Sequence, residues 1–269
     1  MNWTKRNHRV ALAVALLAGA FLRFSLAVAQ SPSPASSDSV TAQAGNPVAS
    51  ELAARLNKKQ FHDVKVSVDQ GTAILTGTVE LYANKVEAEK RARKTPGITA
   101  VRDLIQVGGP DVSDQELQDK LLTKLTYDRV FYGNAFNAIS LHVRNGTVIL
   151  GGHALSPNSK DSALELVSYY PGVKGVVDEI QVDPLSMMDN RIRMMVFRAV
   201  YGVPQLSRYA MDPAKPIRIS VQNGNVELYG VVESQSDKQI AFIRANAVPG
   251  VFSVKNFLDV VEAPAKAKK

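Results

Sequence analysis

Val143-Arg144-Asn145-Gly146-Thr147-Val148 has the form of a tight β-hairpin, and the rest of the chain repeats it. Asn-Gly is the pair best able to adopt positive φ at both central positions of a type I′ turn, and apolar residues alternate with polar ones on either side. A two-residue turn predicts that Val143 pairs with Val148, Leu141 with Leu150 and Ile139 with Gly152. These apolar residues then share one face of the hairpin, and the other face carries Ser140, His142, Arg144 and Thr147.

The same pattern occurs three times along the 269 residues. In each copy a turn glycine is followed six residues later by a second glycine, and then by a Pro-Gly pair 19 and 20 residues further on. The spacing is 75 residues between the first two copies and 78 between the last two, which indicates one structural unit used three times. The predicted turn residues are Gly71 and Gly77, then Asn145, Gly146 and Gly152, then Asn223, Gly224 and Gly230.

The register of the second copy transfers to the other two. In the third copy the predicted buried face carries Ile217, Ile219, Val221, Val226 and Leu228, and the outward face carries Arg218, Ser220, Gln222 and Glu227. In the first copy the buried residues are Val64, Val66, Val68, Ala73 and Leu75. The second glycine of each copy falls on the buried face, where a missing side chain lets another element approach closely.

Two helices and a third strand complete each unit. Helix starts are predicted upstream of the hairpins at Asn46-Pro47, at Ser113 with Glu116, and at Ser186 with Asp189. A second helix follows each hairpin, with small residues four apart that allow close packing: Ala88 and Ala92, Ala163 and Val167, Ala241 and Ala245.

The third strand of each unit contains one polar residue on its inward parity: Asp103, Asp178 or Asn256. We expect its side chain to bond a nearby backbone group rather than to form a reactive site. The order is therefore α-β-β-α-β, an α+β fold in which two helices cover one face of a three-stranded sheet. The sequence leaves open which hairpin strand the third strand pairs with. Because the linkers 108–111 and 183–184 are short, we expect the units to pack on one another.

The N-terminus has the features of a secretory signal. Lys5, Arg6 and Arg9 precede an apolar run, and Ala27-Val28-Ala29 fits the small-residue rule for cleavage. We predict a signal peptide at 1–29, a disordered spacer at 30–46 and a periplasmic or secreted location. An uncleaved inner-membrane anchor is the alternative. The chain has no cysteine, which excludes disulfides and acylation on a cysteine.

The electrostatics give one candidate surface. Four of the 32 Lys and Arg lie in the predicted signal, so 28 cations remain against 25 acids, a surplus too small to indicate nucleic-acid binding. Arg191, Arg193 and Arg198 lie among apolar residues in the first helix of the third unit, followed by Tyr201. A basic and apolar helix of this kind can rest on an anionic membrane, and these four residues are the candidate membrane-binding set. The alternative is that the apolar residues face the core and the arginines are solvated.

Signals for catalysis or cofactor binding are absent from the sequence. The four histidines show no metal-ligand spacing, neither a nucleophile elbow nor a phosphate loop occurs, and cysteine chemistry is excluded. We therefore predict a protein that is not an enzyme, with no catalytic residues, no metal and no cofactor.

The repeated pattern resembles the BON domain, the module of bacterial osmotic-shock and nodulation proteins. The resemblance is carried by Ile217–Val232, Pro249-Gly250-Val251 and Val254–Val260, and by the similar copies around Asn145-Gly146 and Gln70-Gly71. It implies an α-β-β-α-β fold with a mixed sheet, export to the periplasm, binding to phospholipid membranes and no catalytic residues. The predicted units are 47–108, 113–183 and 186–262, followed by a basic tail at 263–269.

Two expectations about function follow. The first is an envelope protein that binds anionic phospholipid surfaces, in envelope maintenance or the response to osmotic stress. The second is a scaffold that binds an envelope complex or assembles with itself. Two aromatic insertions before the hairpins, at 127–137 with Phe131, Tyr132 and Phe136 and at 201–216 with Leu206 and Tyr209, are expected either to pack on a neighbouring unit or to touch lipid or a partner.

Overall fold

The computed structural model describes residues 46–128, 133–184, 186–213 and 215–261. The predicted signal peptide, the spacer up to residue 45, Phe131, Tyr132 and the predicted basic tail lie outside these residues.

The described residues form three units, each with helices packed on a mixed sheet of three or four strands. The first unit contains α1 (Pro47–Arg55), β1 (Val64–Asp69), β2 (Thr72–Val79), α2 (Tyr82–Arg93), β3 (Ala100–Asp103) and β4 (Gln106–Val107). The second contains α3 (Asp114–Tyr127), β5 (Ala138–Arg144), β6 (Thr147–Ala154), α4 (Pro157–Ser168), β7 (Gly175–Asp178) and β8 (Gln181–Val182). The third contains α5 (Met187–Tyr201), α6 (Pro204–Met211), β9 (Arg218–Gln222), β10 (Asn225–Val232), α7 (Gln235–Asn246) and β11 (Ser253–Val260).

The second hairpin strand is the centre of every sheet. It pairs antiparallel with the first strand in the predicted register, for example Val143 with Val148 and Leu141 with Leu150. The third strand lies on its other side and runs parallel to it, which settles the pairing that the sequence left open. Asn145 and Gly146 have φ of 52° and 70°, as a type I′ turn requires.

The polar residue of each third strand bonds the backbone two residues further on, as predicted. The N–H of Ile105 donates to Asp103 Oδ1 at 2.9 Å, and the Asp178 and Asn256 side chains accept in the same way from Ile180 and Leu258. In the first two units this bond accompanies a break in the strand, between β3 and β4 and between β7 and β8. In the third unit β11 is continuous over eight residues.

Each unit has a hydrophobic core between its helices and one face of its sheet. The small residues of the second helix are fully buried there, as predicted, and so are the apolar residues of the third hairpin: Ala88, Ala92, Ala163, Val167, Ala241 and Ala245, with Ile217, Ile219, Val221, Val226 and Leu228. Asn46, Ser113 and Ser186 cap the first helices through their side-chain oxygens. The caps therefore begin these helices where the sequence indicated.

The second glycines are required for a reason different from the predicted one. At Gly152 a Cβ atom would lie 2.0 Å from the carbonyl oxygen of Ala138, and φ is +83°. Gly77 and Gly230 have the same relation to Asp63 and Pro216. The close neighbour is thus the backbone at or just before the start of the first hairpin strand, and not a separate element.

The two insertions differ in what they cover. Leu206 and Tyr209 lie in α6 and are buried in the core of the third unit itself. Phe136, from the second unit, packs on the third unit's core, and its ring centroid lies 5.5 Å from that of Phe197. For Phe136, the prediction that an insertion covers a neighbouring unit is confirmed.

Candidate functional site

The first helix of the third unit is positioned by the carboxylate of Asp189, which the sequence indicated as part of a helix start and not as a partner of the hairpin turn. The N–H groups of Asn223 and Gly224 donate to the two oxygens of Asp189, at 3.0 and 2.8 Å. Asp114 holds the second unit's turn in the same way, accepting from Asn145 and Gly146 at 2.6 and 2.8 Å. A carboxylate in the first turn of a helix, opposite an Asn-Gly turn, is the sequence signal that could have revealed this clamp.

The exposed side of α5 carries alternating apolar and basic residues. Four exposed residues lie on one stripe of the helix, because they are spaced at i, i+4, i+7 and i+11. They are Met187, Arg191, Met194 and Arg198. We call these four residues the Met–Arg stripe. Arg191 and Arg198 form no ion pair with any described residue. Their charges are therefore available to an external anion.

One end of the third unit exposes large apolar side chains around the Asn223-Gly224 turn. The N–H of Phe252 donates to the carbonyl of Gly224, and the Phe252 side chain is 83% exposed. On the other side of the turn α5 begins with Met187 and Met188, which are 91% and 65% exposed. We call Met187, Met188 and Phe252 the apolar tip. Side chains of this size are usually covered in a stable fold, so this end of the unit presents a surface suited to an apolar environment.

Two of the four predicted membrane-binding residues lie inside the protein, which corrects the predicted set. Arg193 is 2% exposed and donates to the carbonyl of Val221 at 3.1 Å and to Asp183 Oδ2 at 3.2 Å. The Tyr201 hydroxyl donates to the carbonyl of Ile217 at 2.7 Å, and burial raises its pKa. The helical period places both on the core side of α5, so neither can touch a membrane without unfolding this region.

The charge of Arg193 is neutralised at a junction between the second and third units. Asp183, at the end of the second unit, also accepts from Ser220 Oγ at 3.0 Å and from Gln222 Nε2 at 3.1 Å on the third sheet. Ser220 lies on the outward face of its hairpin, as predicted, but it is buried there because the second unit covers this part of the sheet. A residue on the outer face of one unit's sheet can be buried only by another unit, which is why the single-unit pattern did not reveal it.

His153 belongs to the same junction. Its Nδ1 lies 3.3 Å from Asp183 and 2.9 Å from Gln222 Nε2, and its Nε2 lies 3.6 Å from Glu227. Burial alone would raise the pKa of Glu227, but hydrogen bonds from Tyr229 and Lys255 outweigh burial and lower it. Glu227 therefore remains ionised beside His153.

A polar cleft of about 470 Å³ opens beside this junction. His153 and Gln181 of the second unit form one wall, and strands β9, β10 and β11 form the rest. Within the described ranges no group of three His, Asp or Glu residues is placed to hold a metal ion. No helix among the described residues has both the length and the apolar character needed to cross a bilayer. The arrangement offers surfaces for binding.

The BON domain profile matches residues 45–109, 113–184 and 205–262. The third match begins after α5, although α5 packs on β9 and α7 and carries the same turn clamp as α3. No curated protein matches the chain.

Solved structures give weak matches only. The C-terminal domain of CdsD, the structural protein of the type III secretion system of Chlamydia trachomatis, matches with 15% identity over 80% of this chain and 98% of that one, at a TM-score of 0.24. The periplasmic domain of PrgH, an inner-membrane protein of the type III secretion system of S. typhimurium, matches with 10% identity over 74% and 99%, at a TM-score of 0.19. The domain profile, in contrast, covers most of the chain in the same three places as the structural repeat. The chain belongs to the BON domain family and carries three tandem copies of the domain.

Proposed function

We propose that this protein is an exported, non-catalytic component of the cell envelope that associates with anionic phospholipid surfaces through its third unit, in envelope maintenance or the response to osmotic stress. The BON domains suggest a non-catalytic envelope protein and a periplasmic location. We also propose that residues 1–29 are removed as a signal peptide and that the mature chain is periplasmic or secreted. An uncleaved inner-membrane anchor remains the alternative.

The Met–Arg stripe is the observation that carries the proposal. Two guanidinium groups that form no ion pair with the described residues alternate with two exposed methionines along one helix, so charge and apolar surface face the same side. Each cation contributes roughly 1 kcal/mol near an anionic bilayer, and this contribution falls as salt screens the charge. Methionine side chains are flexible enough to fill irregular space between lipid headgroups.

The apolar tip supplies the second part of the interaction. Fully burying a side chain such as Phe252 or Met187 contributes about 1.5–3 kcal/mol relative to leaving it in water. Because Met187 belongs to both the tip and the Met–Arg stripe, a membrane that receives the tip also lies near the first turns of α5. Arg191 therefore lies near the apolar tip, and Arg198 lies about two turns further along α5.

A vesicle flotation assay on the chain from residue 30 onward tests this proposal. We expect binding to vesicles that contain phosphatidylglycerol, weaker binding at high salt, and little binding to purely zwitterionic vesicles. The double variant Arg191→Glu with Arg198→Glu should lose most of the binding. The matched control is Arg102→Glu with Arg144→Glu, which makes the same charge change at exposed positions of the first and second units. Equal retention of both double variants would reject the Met–Arg stripe as the docking surface.

A protein-interaction scaffold is the second candidate function. It is favoured by the outer strand β11, which is continuous and carries the half-exposed Phe257 beside the exposed Val231 and Val261. Such an edge can pair with a strand of an envelope protein or of another copy. In vivo crosslinking from Phe257 that captures one discrete protein, together with no vesicle binding at low salt, would favour the scaffold.

A further inference from the structure

The polar cleft between the second and third units has a lining with almost no net charge. Six of its side chains are uncharged hydrogen-bonding groups: Gln181, Ser220, Gln222, Asn223, Asn225 and Ser253. Its two opposite charges, Glu227 and Lys255, pair with each other at 3.0 Å. A lining of this composition is poorly suited to a phosphate or a free cation, which need a surplus of one sign.

Several of these groups are free to bind a ligand. The side-chain amides of Gln181 and Asn223 have no hydrogen-bond partner within the part of the chain that the structure describes. The Gln222 side chain uses its Nε2 toward His153 and Asp183, which leaves its Oε1 as an unused acceptor among the described residues. Amide groups both donate and accept, and a hydroxyl group does the same.

The floor of the cleft is fixed before any ligand arrives. The buried carboxylate of Asp183 accepts from Ser220 Oγ and Gln222 Nε2, and Arg193 holds that carboxylate from behind. A floor whose rotamers are already locked loses little conformational entropy on binding. The second unit thus shapes a site on the third unit's sheet.

A pair of stacked aromatic rings lies beside the cleft on the same face of the sheet. The rings of Tyr229 and Phe257 stack at 5.2 Å between centroids and 17° between planes. Both stand two residues beyond the Glu227–Lys255 pair on their strands, and Phe257 is 49% exposed. Tyr229 covers one face of the Phe257 ring, and the electron-rich face that Tyr229 leaves uncovered can attract the weakly positive C–H groups of a sugar ring.

We propose that this cleft binds a saccharide chain. Hydroxyl groups of one ring would bond the amides of Gln181 and Gln222, and the C–H face of an adjacent ring would lie on Phe257. The site differs from the Met–Arg stripe in position and in chemistry, so it is a second binding function of the molecule. The saccharide could be a free oligosaccharide, a cell-wall glycan strand or the sugar headgroup of a glycolipid, which share this chemistry.

Calorimetric titration with chitotetraose and with maltotetraose tests the proposal directly. We expect saturable binding of at least one probe, weakened about tenfold by Phe257→Ala through loss of the stacking contact. Gln181→Ala, on an exposed position that does not support the core, should also weaken binding. Tyr169→Ala, at an exposed aromatic residue outside the cleft lining, is the control and should leave the affinity unchanged. Sedimentation with insoluble peptidoglycan and flotation with glycolipid vesicles then separate the polymeric and lipid sources.

Three outcomes would overturn the proposal. They are no saturable binding of either probe, binding that survives both Phe257→Ala and Gln181→Ala, and binding of an unstructured Gly-Ser peptide as tight as that of the saccharides. Phosphatidylglycerol flotation of Phe257→Ala should equal that of the parent chain. Failure of the saccharide titration with intact flotation would therefore reject this inference alone.

Discussion

The guanidinium of Arg193 lies 3.2 Å from the carboxylate of Asp183, and this ion pair joins the end of the second unit to the first helix of the third. Both side chains are almost completely excluded from water. Neither charge is stable alone in such a place, so the second and third units are held in one arrangement. The same pair supports the floor of the polar cleft.

Asp183→Asn should destabilise this junction strongly. Removing one partner of a buried pair leaves the other charge uncompensated, and the expected loss is about 3–5 kcal/mol of unfolding free energy. Urea denaturation followed by circular dichroism measures it. The control is Asp128→Asn, which breaks an exposed i,i+4 pair with Lys124 and should leave the midpoint nearly unchanged. Similar losses in both variants would contradict a special role for the junction.

Asp114 makes the stability of the second unit depend on pH, and the direction of its pKa shift fixes the sign of that dependence. Hydrogen bonds from the Gly146 and Asn145 N–H groups lower its pKa below 3.8 in the folded state. The ionised Asp114 carboxylate therefore stabilises the folded state fully above the pKa that Asp114 has in the unfolded chain. This stabilisation is lost as the pH falls through the lower pKa of Asp114 in the folded state. Between about pH 5 and pH 3 the thermal midpoint should fall more steeply in the parent chain than in Asp114→Asn. Parallel pH profiles would argue against the turn clamp.

Gly152→Ala should be far more damaging than Gly151→Ala, its immediate neighbour. At position 152 the backbone has a φ of +83°, which a residue with a side chain rarely adopts, and the new Cβ would lie 2.0 Å from the Ala138 carbonyl oxygen. We therefore expect a loss of at least about 2 kcal/mol in unfolding free energy. At position 151 the Cβ would meet only Ser140 Oγ at 3.1 Å, and that hydroxyl can rotate away. Chemical denaturation of the two variants checks this, and equal stability would show that the hairpin tolerates a side chain there.

Phe136→Ala should weaken the contact between the second and third units. Its ring packs on Phe197 and on the third unit's core, so we expect a loss of about 1–2 kcal/mol in unfolding free energy. The control is Tyr169→Ala, since Tyr169 is an exposed aromatic residue of the second unit. Equal denaturation midpoints for the two variants would mean that Phe136 contributes no stability at the contact.

The sequence predicted the features that depend on local patterns. Hairpin register follows from the alternation around Asn145-Gly146, and a one-residue error would have placed Leu141 and Leu150 in solvent. The Asn46 and Ser113 caps and the bond from Asp103 to the Ile105 backbone are also local, because each partner lies within three residues. These features need no knowledge of how the units are arranged.

The sequence could not predict the features that depend on contacts between units. Ser220 has the parity of a solvent-facing residue and is buried because Asp183 and His153 of the second unit lie on it. In the sequence, nothing distinguishes Arg193 from the other two arginines of α5. Its partner Asp183 lies ten residues earlier and is brought beside it only by the fold. The candidate membrane residues do lie on one helix, as predicted. The predicted set was too large as a surface, since only Arg191 and Arg198 of its four members are exposed.

Docking of the third unit on an anionic membrane is the central claim, and the fluorescence of a single tryptophan in the apolar tip tests it most directly. The chain has one tryptophan, Trp3, so a chain that begins at residue 30 and carries Phe252→Trp has its only tryptophan at the tip. With vesicles that contain phosphatidylglycerol we predict a shift of emission to shorter wavelength and quenching by brominated lipid, and neither effect with zwitterionic vesicles. An unchanged spectrum on anionic vesicles that do bind the protein would contradict docking through this end of the third unit.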